Sequence, residues 1–262
     1  MKFTTSDKVN LFYTDTGEGR PIVCLPGIGA SHWLWQPLTV LLKKEFRVIV
    51  LDPRNQGLSD RTYKGQRISR HALDLAEFLE ALQIKDAIAI GNSMGAGTLF
   101  AYLSLFGSKR LSAIVDLDQS PKMISDKTWP YGFKELTWSN FPDYMKLDMG
   151  PATVAPLDFE VKAKARLEYQ KIPYDPDQNY DFLIDHSFQD WRDVILDAKL
   201  PILFVAGGKS PYFNPKFASV AAQLNDHAES CMIPDCGHVI QLEKPKKLKE
   251  VLLTFLNKHQ LV

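Results

Sequence analysis

The sequence predicts an α/β fold with a mostly parallel central sheet and helices on both faces. Short apolar segments alternate with segments of helical spacing along most of the chain. One apolar run, residues 87–91, passes almost directly into a helix-forming stretch, and Ser93 stands at the junction between Gly91 and Gly95. The length of 262 residues, 45% of them hydrophobic, suits one domain with an insertion.

The charge balance argues against several kinds of partner. The formal net charge is zero, with no basic stripe for nucleic acid and no acidic tail. No apolar run approaches the length of a membrane span, and residues 1–7 lack an apolar signal core. Three scattered cysteines are typical of reduced thiols and do not form a zinc pattern. We therefore expect a cytoplasmic protein that needs no metal, nucleic acid or membrane.

The first third of the chain supplies the start of the sheet. Residues 9–13 alternate in polarity and predict an edge strand, whereas residues 21–25 predict a fully buried strand. A glycine-containing loop follows at residues 26–30, and Ser31 is a candidate cap for the next helix. Residues 46–51 predict another buried strand, which runs into a polar, turn-rich loop.

The alternation continues around the serine. Residues 69–82 have the apolar spacing of a helix, and the strand that ends at Gly91 comes next. A helix is predicted from Ala96 to about residue 106, and residues 111–117 form the following strand. Strands and helices that alternate in this way imply parallel strand pairing.

Residues 122–187 interrupt this alternation. The segment is rich in aromatic residues, prolines and aspartates, has no strand signal, and contains one helical pattern at 158–170. Its aromatic content disfavours a disordered linker. We expect a mainly helical cap inserted between two parts of the core, 1–121 and 188–262.

The last part of the chain restores the alternation. Strands are predicted at 201–206 and 229–233. Helices are predicted at 191–198, 214–224 and 242–258. His238 lies in the loop after the last strand.

Ser93 is the candidate nucleophile. A strand that turns at once into a helix holds such a serine in a strained conformation, and larger side chains in place of Gly91 and Gly95 would collide with neighbouring backbone. A serine hydroxyl needs a base to take its proton. His238 is the candidate base, because loops at the carboxyl ends of parallel strands share one edge of the sheet.

Two backbone groups are candidates for an oxyanion hole. The N–H of Met94, the residue after the nucleophile, is one expected donor. The other is the N–H of Ile28, which stands between Gly27 and Gly29 in the loop after the strand at 21–25.

Four stretches together resemble the α/β-hydrolase family over nearly the whole chain. They are Leu25-Pro26-Gly27-Ile28-Gly29, Asp52-Pro53-Arg54-Asn55-Gln56-Gly57-Leu58-Ser59, Gly91-Asn92-Ser93-Met94-Gly95 and Gly237-His238. Within the family, the chain is most similar to the bacterial non-haem chloroperoxidase and esterase-like branch. The resemblance implies an α/β-hydrolase fold with a helical cap and a cofactor-free serine hydrolase.

The chain departs from the family pattern at three places. Pro26 stands where many members have histidine, and Asn55-Gln56 replaces the commoner glycine-containing spacing of the second loop. Ser210 stands where most members carry the acid of the catalytic triad.

Three interpretations of the missing acid follow. In the first, Ser210 replaces the acid and the enzyme works with a dyad. His238 then has no negative charge beside it to stabilise its imidazolium form. Asp235, three residues before His238, is the type of turn residue that bonds its own backbone. Asp118 ends the strand beside the elbow strand, and certain haloalkane dehalogenases also place the acid there. We predict Asp118, with Asp116 as a weaker candidate deeper in the strand.

The predicted function is hydrolysis of a small carboxylic ester or lactone through an acyl-enzyme, with Ser93, His238 and Asp118 as the triad. Hydrolysis of a C–C bond and perhydrolysis with peroxide are alternatives on the same residues. A slow-turnover ligand-binding or signalling protein is the alternative from another class, against which the intact elbow and His238 argue. The sequence fixes neither the substrate nor the oligomeric state.

Overall fold

The computed structural model describes residues 1–171 and 173–262, and within them eight strands form a single sheet. The strands are β1 (Lys2–Thr4), β2 (Asn10–Thr16), β3 (Pro21–Leu25), β4 (Arg47–Leu51), β5 (Ala87–Asn92), β6 (Leu111–Leu117), β7 (Ile202–Gly207) and β8 (Ala228–Ile233). Their order in the sheet is β1-β2-β4-β3-β5-β6-β7-β8. Only the β1–β2 and β2–β4 pairs are antiparallel, so the mostly parallel sheet predicted from the sequence is confirmed.

The helices connect the strands and cover the sheet. They are α1 (Gln36–Leu42), α2 (Ile68–Ala81), α3 (Met94–Phe106), α4 (Phe159–Lys171), α5 (Tyr180–Phe188), α6 (Arg192–Asp197), α7 (Lys216–Ala222), α8 (Ile240–Glu243) and α9 (Pro245–Lys258). Short 3₁₀ helices occupy His32–Trp35 and Asp143–Lys146. No helix of the described residues has both the length and the apolar character needed to cross a bilayer.

Two apolar cores lie on opposite faces of the sheet, and β3 shows how one strand serves both. Ile22 and Cys24 belong to the core that contains residues of α1 and α9. Val23 and Leu25 belong to the core that contains residues of α2, α3 and α7. Successive side chains of a strand point to opposite faces. A strand buried on both faces therefore consists almost entirely of apolar residues.

Three sequence predictions about local structure need correction. Residues 9–13 do not form the edge of the sheet, because β2 pairs with both β1 and β4. The edge on that side of the sheet is β1, which has only three residues and is too short to give a sequence pattern. Ser31 precedes the 3₁₀ helix but makes no capping hydrogen bond through its side chain. The single helix expected at 242–258 is divided at Lys244, because the residue before a proline avoids the helical conformation.

The carboxyl ends of the parallel strands point to one edge of the sheet, where the connecting loops are found. Within 122–171 and 173–187 the structure has α4, most of α5 and one 3₁₀ helix, and isolated β-bridges occur outside these helices. Met123, Phe133, Met149 and Leu183 of this segment line a cavity together with Ser93. The segment thus lies against the loop edge of the sheet, near the junction of β5 and α3.

Candidate active site

Ser93 lies between β5 and α3 with φ 54° and ψ −123°. This backbone conformation with a positive φ is strained and rare for a residue with a side chain. The flanking glycines are required by contact: a Cβ at Gly91 would lie 2.3 Å from the Ala96 nitrogen, and one at Gly95 would lie 2.1 Å from the Leu25 carbonyl oxygen. The sharp strand-to-helix turn therefore depends on both glycines.

His238 and Asp118 form a buried pair. The Nδ1 atom of His238 lies 2.7 Å from Oδ2 of Asp118, and the two residues are 5% and 0% exposed. A carboxylate next to Nδ1 favours the tautomer with the proton on Nδ1. Nε2 is then left with a lone pair that can accept a proton. Both Ser93 and His238 line the same cavity, so the structure brings all three predicted triad residues to one site.

The carboxylate of Asp118 accepts two further hydrogen bonds. The Gly207 N–H donates to Oδ1 at 2.9 Å, and the Ser210 hydroxyl donates to Oδ2 at 2.6 Å. Asp118 itself has φ 59°, a conformation that aspartate and asparagine tolerate better than most residues. These contacts hold the carboxylate in one orientation towards His238.

The other acid candidates lie elsewhere. Asp235 is exposed and forms an ion pair of 2.6 Å with Lys209. Asp116 is fully buried and accepts a hydrogen bond from the Gln119 N–H at 2.9 Å. Burial raises the pKa of Asp116 well above its usual value. Ser210 contacts Asp118 rather than His238.

The predicted oxyanion donors flank Ser93. Met94 is the first residue of α3, where backbone N–H groups have no helical acceptor. Ile28 lines the cavity, and a Cβ at the neighbouring Gly27 would lie 3.1 Å from Cβ of Ser93. The loop that carries Ile28 therefore lies directly beside Ser93.

The cavity above Ser93 has a volume of about 180 Å³. Apolar side chains make up most of its wall: Ile28, Leu34, Met123, Phe133, Met149, Leu183, Phe213 and Val239. A wall of this kind, with a few polar groups, is typical of a site for a small organic molecule.

Comparison with known proteins now identifies the family. A family model for the alpha/beta hydrolase fold matches residues 20–245. The chain belongs to this family. The resemblance found in the sequence, including the likeness to non-haem chloroperoxidases and esterases, is confirmed.

Three curated relatives show how the similarity is distributed. The AB hydrolase superfamily protein YisY of Bacillus subtilis is 26% identical over 262 residues and the match covers 97% of both chains. A pimeloyl-[acyl-carrier protein] methyl ester esterase of Nitrosospira multiformis is 23% identical, with coverage of 95% of this chain and 98% of the relative. The non-heme chloroperoxidase CPO-A1 of Kitasatospora aureofaciens is 35% identical over 127 residues, which are 47% of this chain and 46% of that protein.

Two solved structures share the fold. A bromoperoxidase from Bacillus anthracis superposes with a TM-score of 0.84 at 21% identity, and covers 95% of this chain and 96% of its own. Est816, described as an N-acyl homoserine lactone degrading enzyme, has a TM-score of 0.77 at 25% identity, and the match covers 96% of this chain and 99% of its own.

One departure of this hydrolase from the family pattern has a direct explanation. Asn55, in the loop after β4, has φ 64°. Asparagine is among the few residues other than glycine that adopt this conformation readily. Its side chain also donates to the Thr62 carbonyl at 2.9 Å and accepts from the Thr62 N–H at 2.6 Å. Asn55 can therefore occupy a position that otherwise suits glycine, because its side-chain hydrogen bonds stabilise the backbone conformation with a positive φ.

Gln56 was missed by the sequence analysis as a functional residue. Its Oε1 accepts a hydrogen bond of 2.7 Å from the N–H of Gly29, and the residue is 2% exposed. Gly29 follows the candidate oxyanion residue Ile28. Gln56 of the hydrolase therefore connects the loop after β4 to the loop that carries the predicted donor.

Asn92, the residue before the nucleophile, was also missed. Its amide donates to the carbonyl of His238 at 3.0 Å and to that of Leu117 at 2.9 Å, and its oxygen accepts from Gln241 at 3.1 Å. Asn92 thereby joins the elbow of the hydrolase to the histidine loop and to the end of β6, which carries Asp118.

Glu243 fixes the histidine loop from the other side. Its Oε2 accepts hydrogen bonds from the N–H groups of Gly237, Val154 and Ala155 at 3.0, 3.1 and 2.7 Å. The N–H of His238 also donates to the Ala152 carbonyl at 2.9 Å. Since residues 152–155 belong to the segment 122–187, Glu243 connects that segment to the loop that carries His238.

Proposed function

We propose that this hydrolase cleaves a small carboxylic ester or lactone through an acyl-enzyme formed on Ser93. Ester hydrolysis in general is supported by the relative that is named a methyl ester esterase, and the lactone by the described activity of Est816. The observation that carries the proposal is the buried hydrogen bond of 2.7 Å between Asp118 and His238, in a site whose cavity also contains Ser93. The cytoplasmic location expected from the sequence is part of the proposal.

The first half of the reaction forms the acyl-enzyme. Nε2 of His238 takes the proton of the Ser93 hydroxyl while its oxygen attacks the substrate carbonyl carbon. The N–H groups of Ile28 and Met94 stabilise the resulting oxyanion. Asp118 stabilises the imidazolium form of His238. The tetrahedral intermediate then collapses, and the leaving alkoxide departs as the alcohol with the proton from His238.

The second half regenerates the enzyme. His238 takes a proton from a water molecule, whose oxygen attacks the acyl carbon. The carboxylic acid leaves as the Ser93 oxygen recovers the proton. With a lactone, the alcohol and acid are parts of one hydroxy acid.

Residues 122–187 act in this proposal as a cap that selects the substrate. Met123, Phe133 and Met149 supply apolar surface to the cavity from this segment. A small apolar acyl or alcohol group would bury surface against them. Replacing these residues is expected to change the chain length of the preferred substrate and to leave the core sheet largely intact.

Perhydrolysis is the second candidate, and the similarity to CPO-A1 favours it. Hydrogen peroxide would attack the acyl-enzyme in place of water, giving a peracid. The step needs no group beyond the triad and peroxide. Measurement of peracid formation in the presence of an ester and peroxide separates this activity from plain hydrolysis.

The test is a panel of esters and lactones of varied chain length, with Ser93→Ala as the blank. Wild type is expected to turn over part of the panel and to be labelled at Ser93 by a fluorophosphonate probe. The variant should lose both properties. Undiminished turnover by Ser93→Ala would overturn the proposal, and stoichiometric binding without turnover would favour a ligand-binding protein.

A further inference from the structure

His186 of α5 is a second histidine in the wall of the active-site cavity. It is 3% exposed and lines the cavity together with Ser93 and His238. Its ring is nearly parallel to that of Phe182, with a 14° interplanar angle and 6.2 Å between centroids. Phe182 stacks in turn on His71 at 4.3 Å. Within the described residues, the side chain of His186 thus has ring contacts but no hydrogen bonds.

The other polar side chains of the cavity already have partners or roles. Ser93 and His238 carry the proposed chemistry. The amide of Asn92 is used by three hydrogen bonds within the protein, and the Tyr212 hydroxyl donates to the Gly150 carbonyl at 2.9 Å. In contrast, neither ring nitrogen of His186 has a hydrogen-bond partner within residues 1–171 and 173–262. His186 is therefore the polar group that the protein itself does not satisfy.

Gly97 of α3 lies against one edge of this ring. A Cβ at Gly97 would lie 2.6 Å from Cε1, 3.0 Å from Nδ1 and 3.7 Å from Nε2 of His186. The Cε1–Nδ1 edge thus packs on the bare backbone of Gly97, and Nε2 is the nitrogen farther from Gly97. A buried N–H without an acceptor is rarer than a buried acceptor without a donor. The proton therefore belongs on Nε2, which makes His186 a hydrogen-bond donor to the cavity.

The charge of the site favours a ligand that presents an uncharged oxygen atom to His186. Burial lowers the pKa of His186 to about 4, so the ring is neutral near pH 7. No lysine or arginine is among the described residues that line the cavity. A carboxylate would lose its hydration without gaining an opposite charge. A keto or hydroxyl oxygen suits a single neutral donor in an apolar wall.

We propose that His186 recognises an oxo or hydroxyl oxygen on the substrate, away from the scissile carbonyl, and that the hydrolase prefers oxo- and hydroxy-substituted esters or lactones to plain alkyl ones. The inference rests on the proposed ester hydrolysis and adds the substrate class. A site whose buried polar group has no partner in the protein favours a substrate that supplies the partner over an analogue that does not. One neutral hydrogen bond corresponds to a preference of about 3- to 10-fold.

The kinetic test compares ethyl butyrate with ethyl 3-oxobutyrate and ethyl 3-hydroxybutyrate. Wild type is expected to show a higher kcat/KM for at least one substituted ester. His186→Phe should remove that preference, and His186→Gln, which keeps an amide donor, should retain part of it. His227→Phe, at an exposed position, is the matched control. A preference unchanged in His186→Phe, or absent from wild type, overturns the inference while ester hydrolysis stands.

A binding test separates this result from the proposed function. Ser93→Ala and Ser93→Ala/His186→Phe are titrated with the same three esters by calorimetry. Tighter binding of a substituted ester only when His186 is present supports the inference even if no ester is hydrolysed. Equal affinities in both proteins contradict it. Thermal unfolding checks the fold, and His186→Leu is the second apolar variant if the phenylalanine variant does not fold.

Discussion

Ser210 donates a hydrogen bond of 2.6 Å to Oδ2 of Asp118, the same oxygen that lies 2.7 Å from Nδ1 of His238. Ser210 is in the loop after β7, where most α/β-hydrolases that the sequence resembles carry the acid itself. Asp118 instead follows β6, the neighbouring strand. The carboxylate thus reaches the histidine from the adjacent strand, and the hydroxyl at the usual acid position supports it. Mutation can separate the two roles.

The first prediction compares these two residues. Asp118→Asn should lower kcat by about 10⁴, because the amide cannot stabilise the imidazolium or hold the required tautomer. Asparagine tolerates the left-handed backbone at this position, so the fold should be retained. Ser210→Ala should lower kcat by less than about tenfold, the scale of one neutral hydrogen bond. Steady-state kinetics on an ester that wild type hydrolyses measures both, and the reverse ranking would show that the acid is misassigned.

Structural features that depend on short stretches of chain could be predicted from the sequence. The elbow at Ser93 depends on contacts within a few residues and with the neighbouring strand, so its glycine pattern is visible directly. The position of Asp118 followed from strand adjacency, since β5 and β6 are parallel neighbours whose ends share one edge. His238 followed from the same argument about strand ends. The catalytic roles of these residues stay predictions.

Structural features that depend on contacts between distant parts of the chain could not be predicted from the sequence. Glu243 accepts hydrogen bonds from Val154 and Ala155, which lie 89 and 88 residues away in the sequence. His186 of α5 lies against Gly97 of α3, and no local sequence pattern encodes that contact. The β1 strand has only three residues and is recognisable only through its pairing with β2. Such positions are set by the tertiary fold.

The second prediction concerns the oxyanion loop. Gln56→Leu removes the acceptor for the Gly29 N–H while retaining most of the side-chain volume. The loop that carries Ile28 should become less well placed, so kcat should fall by about 10- to 100-fold with a smaller change in KM, because the oxyanion forms mainly in the transition state. Gln223→Leu, on an exposed site, is the control. A change in KM alone would show that Gln56 acts on substrate binding instead.

The third prediction concerns the attachment of the segment 122–187. Glu243→Ala leaves the N–H groups of Gly237, Val154 and Ala155 without their common acceptor. These amides should exchange with deuterium faster, and kcat should fall because the loop that carries His238 is less well ordered. Glu250→Ala is the matched control, since Glu250 is exposed and pairs with Lys247 on the surface. Faster exchange spread over the whole chain would indicate general destabilisation rather than release of this segment.

The last prediction follows from the burial of His186. Burial lowers its pKa to about 4, whereas an unfolded histidine titrates near 6.5. Between these values the unfolded chain binds a proton that the folded chain does not, so the free energy of unfolding falls as the pH falls from about 6.5 to about 4. His71, which also stacks on Phe182, has its pKa lowered by burial as well and adds to the same slope.

His186→Phe should remove one of these two contributions. As the pH falls through this window, the unfolding free energy of wild type should decrease more than that of the variant. The extra decrease is at most about 1.4 kcal/mol per pH unit, the limit for one proton. Urea unfolding at pH 7, 6, 5 and 4.5 measures it, with His227→Phe as the exposed control. Parallel curves for wild type and His186→Phe would mean that the folded protein binds a proton at His186 as readily as the unfolded chain does. The neutral donor assigned to the cavity wall would then be wrong as well.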